Sequence, residues 1–220
     1  MKGFNNFETN IPLRIPFKGS QDIEQFNSQA GQDMFALSIL DGMSDGIFLD
    51  IGCNDPKWIN NTFLLEEKYN WKGILIDFAD FHVKACIEQR RPDSIYIEGD
   101  ATKVNYSEAL KQLGVNGIID YMSLDIDGIE TLITLKNLPL SEYKIRVITF
   151  EHDAYRFGND IREESRNYLN KMGYLLLCAN VKSGGSEYED WYVHPDLVDM
   201  ERAMKMNLNG MEWSDIIFKV

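Results

Sequence analysis

Gly46-Ile47-Phe48-Leu49-Asp50-Ile51-Gly52-Cys53-Asn54-Asp55 sets a short apolar run against an acidic residue and a turn with one glycine. A run this short, apolar on both faces, suits a strand of a parallel sheet covered by helices on either side. Four more runs of the same kind follow: Gly73–Asp77, Ser94–Glu98, Ile118–Leu124 and Ile145–Phe150. Between them, Trp58–Tyr69, Asp80–Gln89, Ser107–Leu113, Ile129–Leu138 and Ile161–Met172 carry helical spacing. Five strand–helix alternations predict a doubly wound, Rossmann-like α/β sheet with right-handed crossovers.

The ends of the chain read differently. Gln29–Leu40 is an amphipathic helix stopping near Gly42, and residues 1–27, polar with scattered aromatics, are expected to form an arm or lid. Residues 28–220 are expected to form a single domain. Tyr174–Val181 and Glu187–Val193 flank Lys182-Ser183-Gly184-Gly185-Ser186, a connection that predicts a β-hairpin. The mostly parallel sheet should therefore finish in an antiparallel pair. A purely parallel dinucleotide fold lacks that hairpin, and the class I methyltransferase fold has it.

Composition narrows the function. With 22 basic and 35 acidic residues the net charge is −13, a field that repels a phosphate backbone and argues against nucleic acid. Cys53, Cys86 and Cys178 are widely spaced and read as buried free thiols of a reducing compartment. The first twenty residues lack a continuous apolar segment, and no run approaches the length of a membrane span. A cytoplasmic protein is the expectation, with self-association left open.

In doubly wound sheets ligands bind beyond the carboxyl ends of the strands, where strand order reverses. Each of the five runs ends at or just before a carboxylate: Asp50, Asp77, Asp100, Asp125 and Glu151. A carboxylate beside a buried strand needs a partner, and S-adenosylmethionine supplies several. Gly52 would let the backbone approach it, Asp77 would accept from both ribose hydroxyls, Asp100 with Ala101 would meet the adenine amino group, and Asp50 would face the ammonium. Asn54, Thr62 and Phe78 complete the expected cofactor set. A nicotinamide dinucleotide would need further glycines to seat its pyrophosphate, where this chain has Asp55 and Pro56.

Ser28-Gln29-Ala30-Gly31-Gln32-Asp33, the Gly46–Asp55 stretch, Asn61-Thr62-Phe63-Leu64-Leu65-Glu66 running into Trp71–Asp77, and Met122-Ser123-Leu124-Asp125-Ile126-Asp127-Gly128-Ile129-Glu130, with Glu151-His152, together resemble the FkbM-type methyltransferases. The resemblance spans residues 28 to 152 and implies a seven-stranded class I fold, S-adenosylmethionine as donor, and a hydroxyl acceptor on a sugar, glycan or natural product. Two positions depart from the family: Pro56 replaces a usual glycine, and Asp127 a more frequent glutamate.

Methylating an alcohol requires removing its proton, by a general base or by a metal that lowers its pKa. The catalytic candidates are Asp125, Asp127, Glu151 and His152. Either His152 or Asp127 takes the proton, or Asp125 and Glu151, with Asp190 as a third ligand, hold Mg²⁺ or another divalent cation. Glu189-Asp190-Trp191-Tyr192 could wall an acceptor site or be an ordinary amphipathic edge strand. Set against the enzyme are a cofactor-binding module without catalysis and, further off, an RNA methyltransferase.

Overall fold

The computed structural model describes residues 12–219. Residues 1–11 of the expected arm lie outside the described residues. The rest of that segment lies against the body of the protein, with Leu13, Ile15, Phe17, Ile23 and Phe26 buried.

The strands are β1 (Ile47–Ile51), β2 (Lys72–Asp77), β3 (Ile95–Glu98), β4 (Ile118–Leu124), β5 (Lys144–Glu151), β6 (Leu175–Ser183) and β7 (Ser186–Val193). They form one sheet in the order β3-β2-β1-β4-β5-β7-β6. β1 through β5 pair in parallel, and β7 runs antiparallel to both β5 and β6. The hairpin expected at the end is therefore present, with β7 inserted between β5 and β6 across the Gly184-Gly185 turn. This is the class I methyltransferase fold.

The helices are α1 (Gln32–Ile39), α2 (Phe63–Tyr69), α3 (Asp80–Gln89), α4 (Tyr106–Leu113), α5 (Ile129–Asn137), α6 (Ala154–Phe157), α7 (Asp160–Lys171), α8 (Met200–Ala203) and α9 (Trp213–Ile217). Because side chains alternate across each strand, the sheet divides the core in two. Phe48, Leu75, Tyr121 and Val147 join α1, α2 and the chain ends on one face. Leu49, Ile74, Met122 and Ile148 join α4, α5 and α7 on the other.

One helix starts later than its apolar spacing predicts. α2 begins at Phe63 rather than Trp58, because the Asn60 side chain accepts from the backbone N–H groups of Thr62 and Phe63 at 3.0 and 2.8 Å. An amide oxygen so placed satisfies helix-start donors and leaves residues 58–62 as loop.

Both outer edges of the sheet are modest. β3 has four residues. Along β6, Gly210 donates to the Ala179 carbonyl and Lys182 to that of Met211, each at 2.8 Å, so the segment after α8 runs beside that edge.

Candidate active site

Strand order reverses between β1 and β4, and a cavity of about 320 Å³ lies beyond their ends. Gly52 follows β1, Ile76, Asp77 and Phe78 end β2, Gly99, Asp100 and Ala101 follow β3, and Ile126, Asp127 and Glu130 follow β4. Of the eight residues expected to hold a cofactor, five lie here: Gly52, Asp77, Phe78, Asp100 and Ala101.

Gly52 is required for a reason additional to ligand approach. Its φ is +90°, and a Cβ there would come within 1.9 Å of the Asp125 carbonyl oxygen. The turn after β1 thus packs directly on the chain leaving β4.

Asp77 is fixed by two backbone donors, Asn54 N–H at 2.9 Å and Ala79 N–H at 2.8 Å, one to each carboxylate oxygen. Each oxygen keeps a lone pair for a further donor. Asn54 therefore orients Asp77 with its backbone, from a left-handed φ of 51°. Asp100 accepts from the Thr102 N–H at 2.9 Å and pairs with Lys103 at 2.8 Å. The Lys103 and Thr102 hydrogen bonds hold its carboxyl down at about 2. Phe78 offers its ring to solvent with 81% exposure. The wall bears four carboxylates and no lysine or arginine.

Asp50 and Thr62 are the corrections. Asp50, expected to face an ammonium, is 2% exposed and accepts the Thr62 hydroxyl at 2.6 Å. Burial pushes its carboxyl up to about 6, against the Thr62 hydrogen bond and the Arg90 charge. Both are absent from the cavity wall and belong instead to a network under the loop. Arg90 donates to Thr62 at 3.0 Å, to Asn60 and the Pro56 carbonyl at 3.1 Å, and to both Glu66 oxygens at 3.1 Å. Pro56, the odd residue of the turn, is thus held through its carbonyl. Behind the loop the buried thiols of Cys53 and Cys86 lie 4.0 Å apart, and all three cysteines are free.

The ends of β4 and β5 bring Asp125 and Glu151 together, and their carboxyls share a hydrogen bond. Burial, then the Asp125 charge, pushes Glu151 far above the carboxylate range. Burial raises Asp125 too, while the hydrogen bond from Glu151 pulls the other way. Two carboxyls in contact cannot both ionise readily, so the pair shares a proton. Behind it Glu189 sits opposite Glu151 in the β5–β7 register. It is 1% exposed and accepts from the Trp191 indole at 2.6 Å and from Gln32 at 3.3 Å. Burial carries Glu189 up to about 8.

His152, expected as one candidate for the base, is enclosed. It is 1% exposed, and its Nδ1 accepts the Ala154 N–H at 3.1 Å while Nε2 faces Asp190 at 3.6 Å. Burial raises Asp190, but the Arg166 hydrogen bonds and the nearby His152 ring outweigh it and bring it to about 2. Arg166 holds Asp190 at 2.7 and 2.8 Å, which removes Asp190 from any metal set with Asp125 and Glu151. Among the described residues no group of three or more His, Cys, Asp or Glu is arranged to hold a metal ion. Asp127 stands on the cavity wall and pairs with Arg156 at 2.6 Å. The acceptor wall offered by Glu189, Asp190, Trp191 and Tyr192 is instead interior, each at most 1% exposed.

Spacing alone does not reveal three residues and one short helix. Arg90 lies in an ordinary helix end, with no pattern to say it reaches the turn. Gln32 and Asp33 fall within a recognisable stretch, but their partners are distant: Asp33 accepts from the N–H groups of Asn27, Ser28 and Met34 at 2.9, 3.1 and 2.7 Å. α6, a single turn, is too short for periodicity.

No protein-family model matches the chain, and no curated protein matches it. Among solved structures it is similar to a TehB-like SAM-dependent methyltransferase from Corynebacterium glutamicum, with 13% identity over 74% of this chain and 87% of that one, TM-score 0.47. It is also similar to fibrillarin from Aeropyrum pernix in complex with S-adenosyl-L-methionine, with 13% identity over 74% and 76%, TM-score 0.44. A third likeness is to the mitomycin 7-O-methyltransferase MmcR, with 10% identity over 76% and 54%, TM-score 0.44. The fold rests on the strand order itself. No helix among the described residues is long and apolar enough to cross a membrane.

Proposed function

We propose that this chain is an S-adenosylmethionine-dependent O-methyltransferase of the FkbM type, acting on a hydroxyl of a sugar, glycan or natural product. The observation that carries it is the cavity where the sheet order reverses, walled by Asp77, Asp100, Asp127 and Glu130 without a basic side chain. Such a wall suits a cationic sulfonium with donor-rich ribose and adenine, and repels a pyrophosphate.

Asp77 would take the ribose hydroxyls, Asp100 and Ala101 the adenine edge, and Phe78 one face of the purine. When bound, S-adenosylmethionine supplies an electrophilic methyl group, and its sulfur keeps the electron pair of the broken bond. The chain supplies the base. Asp125, ionised and held by the protonated Glu151, takes the hydroxyl proton as the acceptor oxygen attacks. His152 and Asp127 act at one remove: the first orients the turn after β5, and the second holds Arg156. The metal-bound alternative uses the same two carboxylates, so sensitivity to EDTA separates the mechanisms.

Calorimetry on the purified chain tests the donor. S-adenosylmethionine and S-adenosylhomocysteine should bind in the micromolar range and NAD should not; NAD binding without S-adenosylhomocysteine would overturn the proposal. A labelled-methyl screen over sugars, glycolipids and polyketide-like alcohols tests catalysis. Donor binding without transfer to any of them favours the non-catalytic module, and transfer to RNA the nucleic-acid enzyme.

A further inference from the structure

Cys53 belongs to the turn after β1 and Cys86 to α3, yet their sulfurs are 4.0 Å apart. Two thiols in contact are the starting geometry for a disulfide, reached by side-chain rotation and a small approach of the two backbones. The third thiol, Cys178, stands apart on β6, where it donates to the Met206 carbonyl at 2.9 Å.

Both members of the pair are tied to the cofactor cavity. The Cys53 N–H shares the Ile76 carbonyl with that of Gly52, at 3.1 and 2.9 Å, and the next residue, Asn54, holds Asp77. The Cys86 thiol reaches the Asn54 carbonyl at 3.9 Å, and its helix starts at Asp80, just past Phe78. Joining the sulfurs roughly halves their separation and takes the Cys86 thiol from Asn54. Gly52 has no slack, being packed on the Asp125 carbonyl. Asn54 is therefore the residue that shifts, and its N–H leaves Asp77.

In the closed structure both thiols are buried, and the Cys86 hydrogen bond, then burial, raises the Cys53 thiol. A covered, protonated thiol is inert. α3 is the part that opens. Of its ten residues only Val83 and Cys86 are buried, while Phe81 and Ile87 are 68% and 55% exposed. A helix held by so few apolar contacts opens locally at less cost than global unfolding, and this opening uncovers Cys86.

Resting on the reading that the cavity holds S-adenosylmethionine, we propose that Cys53 and Cys86 form a peroxide-sensitive disulfide that loosens the grip on the cofactor. The Cys86 thiolate attacks hydrogen peroxide, the O–O bond breaks, and the sulfur keeps one oxygen as a sulfenic acid. The other oxygen leaves as hydroxide and becomes water with the proton the thiol gave up. Cys53 then attacks the sulfenic sulfur, the S–O bond breaks, and that oxygen leaves as water with the Cys53 proton. Two thiols lose two electrons and two protons, and the peroxide is reduced to two waters.

The test treats the whole chain with hydrogen peroxide and maps its peptides by non-reducing mass spectrometry. The peptides bearing Cys53 and Cys86 should appear joined, two hydrogens lighter than their sum, with Cys178 still open to alkylation after unfolding. In calorimetry the oxidised chain should bind S-adenosylhomocysteine at least about tenfold more weakly, near the worth of one charge-assisted hydrogen bond. Dithiothreitol should restore the affinity. Hydrogen exchange of the Asn54 amide, read by NMR, should quicken by a similar factor on oxidation. Cys86→Ser and Cys86→Ala should each bind like the reduced parent and ignore peroxide, whereas Cys178→Ser should keep the response. No joined peptide, a joined peptide with unchanged affinity, or an equal response in both Cys86 variants would overturn the switch. Failure of the reduced chain to bind S-adenosylhomocysteine would overturn the methyltransferase reading instead. The Asn54 amide would then decide the switch by itself, quickened if it stands and unchanged if it falls.

Discussion

The carboxylates that end the strands fall into two groups with opposite circumstances. Asp77, Asp100 and Asp127 line an open cavity, and Asp100 is held well below the ordinary range by Lys103 and Thr102. Asp50 and Glu189 are buried, Asp125 and Glu151 are half-buried where β4 and β5 end, and lost hydration raises all four. The side-chain chemistry is the same, and access to water decides whether it receives a ligand, holds a proton or braces a loop. The first group suits binding by charge, and the second suits moving a proton and fixing structure.

The sharpest way to break this division is at the dyad. Asp125→Asn should lower turnover by about 10²–10⁴-fold, the worth of a general base, without loss of donor binding. Glu151→Gln keeps a donor toward Asp125 and should stay within about tenfold of the parent. Equal losses in initial-rate assays would mean that the proton does not reside on Glu151.

Next comes the buried brace. Arg90→Ala removes the ion pair of Glu66 and the countercharge of Asp50, which should cost about 3–5 kcal/mol in urea unfolding. A loss like that of a surface salt bridge, below about 1 kcal/mol, would place the network outside the folding core.

On the open side, Asp77→Ala should weaken S-adenosylhomocysteine by about 10–100-fold in calorimetry, the value of charge-assisted hydrogen bonds at roughly 1.5–3 kcal/mol. Unfolding should barely change.

The last effect is a slope. Glu189, at about 8 when folded, keeps a proton that an unfolded glutamate loses near its ordinary value of 4.5. Below that value both states are protonated and nothing is lost. From there up to about 8, stability should fall with rising pH, by up to about 1.4 kcal/mol per unit from this one group. Glu189→Gln should flatten the urea midpoint across that window, and an unchanged slope would mean that Glu189 is ionised inside the protein.

The strands, the closing hairpin and the acidic strand ends were legible because each depends on local sequence: apolar runs mark strands, a short Gly-rich connection marks the hairpin, and chain polarity fixes which end bears the site. The division between open and buried carboxylates was not, since it depends on what covers them. Nothing in Asp50-Ile51-Gly52 says that Arg90, forty residues on, closes over Asp50 through Thr62. Glu189-Asp190-Trp191-Tyr192 reads as a half-exposed edge strand, yet β7 is interior because β6 folds back outside it. Spacing cannot register such an insertion. α6 escaped for a simpler reason, being one helical turn whose importance lies in following Glu151.

The segment beyond α8 that runs beside β6 also bears on how the protein behaves in a crowded solution. An open strand edge is a template on which another chain can add a strand, and natural sheets guard against it. Here Gly210 and the Met211 carbonyl occupy hydrogen-bonding positions along β6, and the opposite edge offers only the four residues of β3. A sheet blunted at both margins resists recruiting its neighbours into fibrils, so the carboxylate-rich face can stay open to solvent without a bare margin beside it.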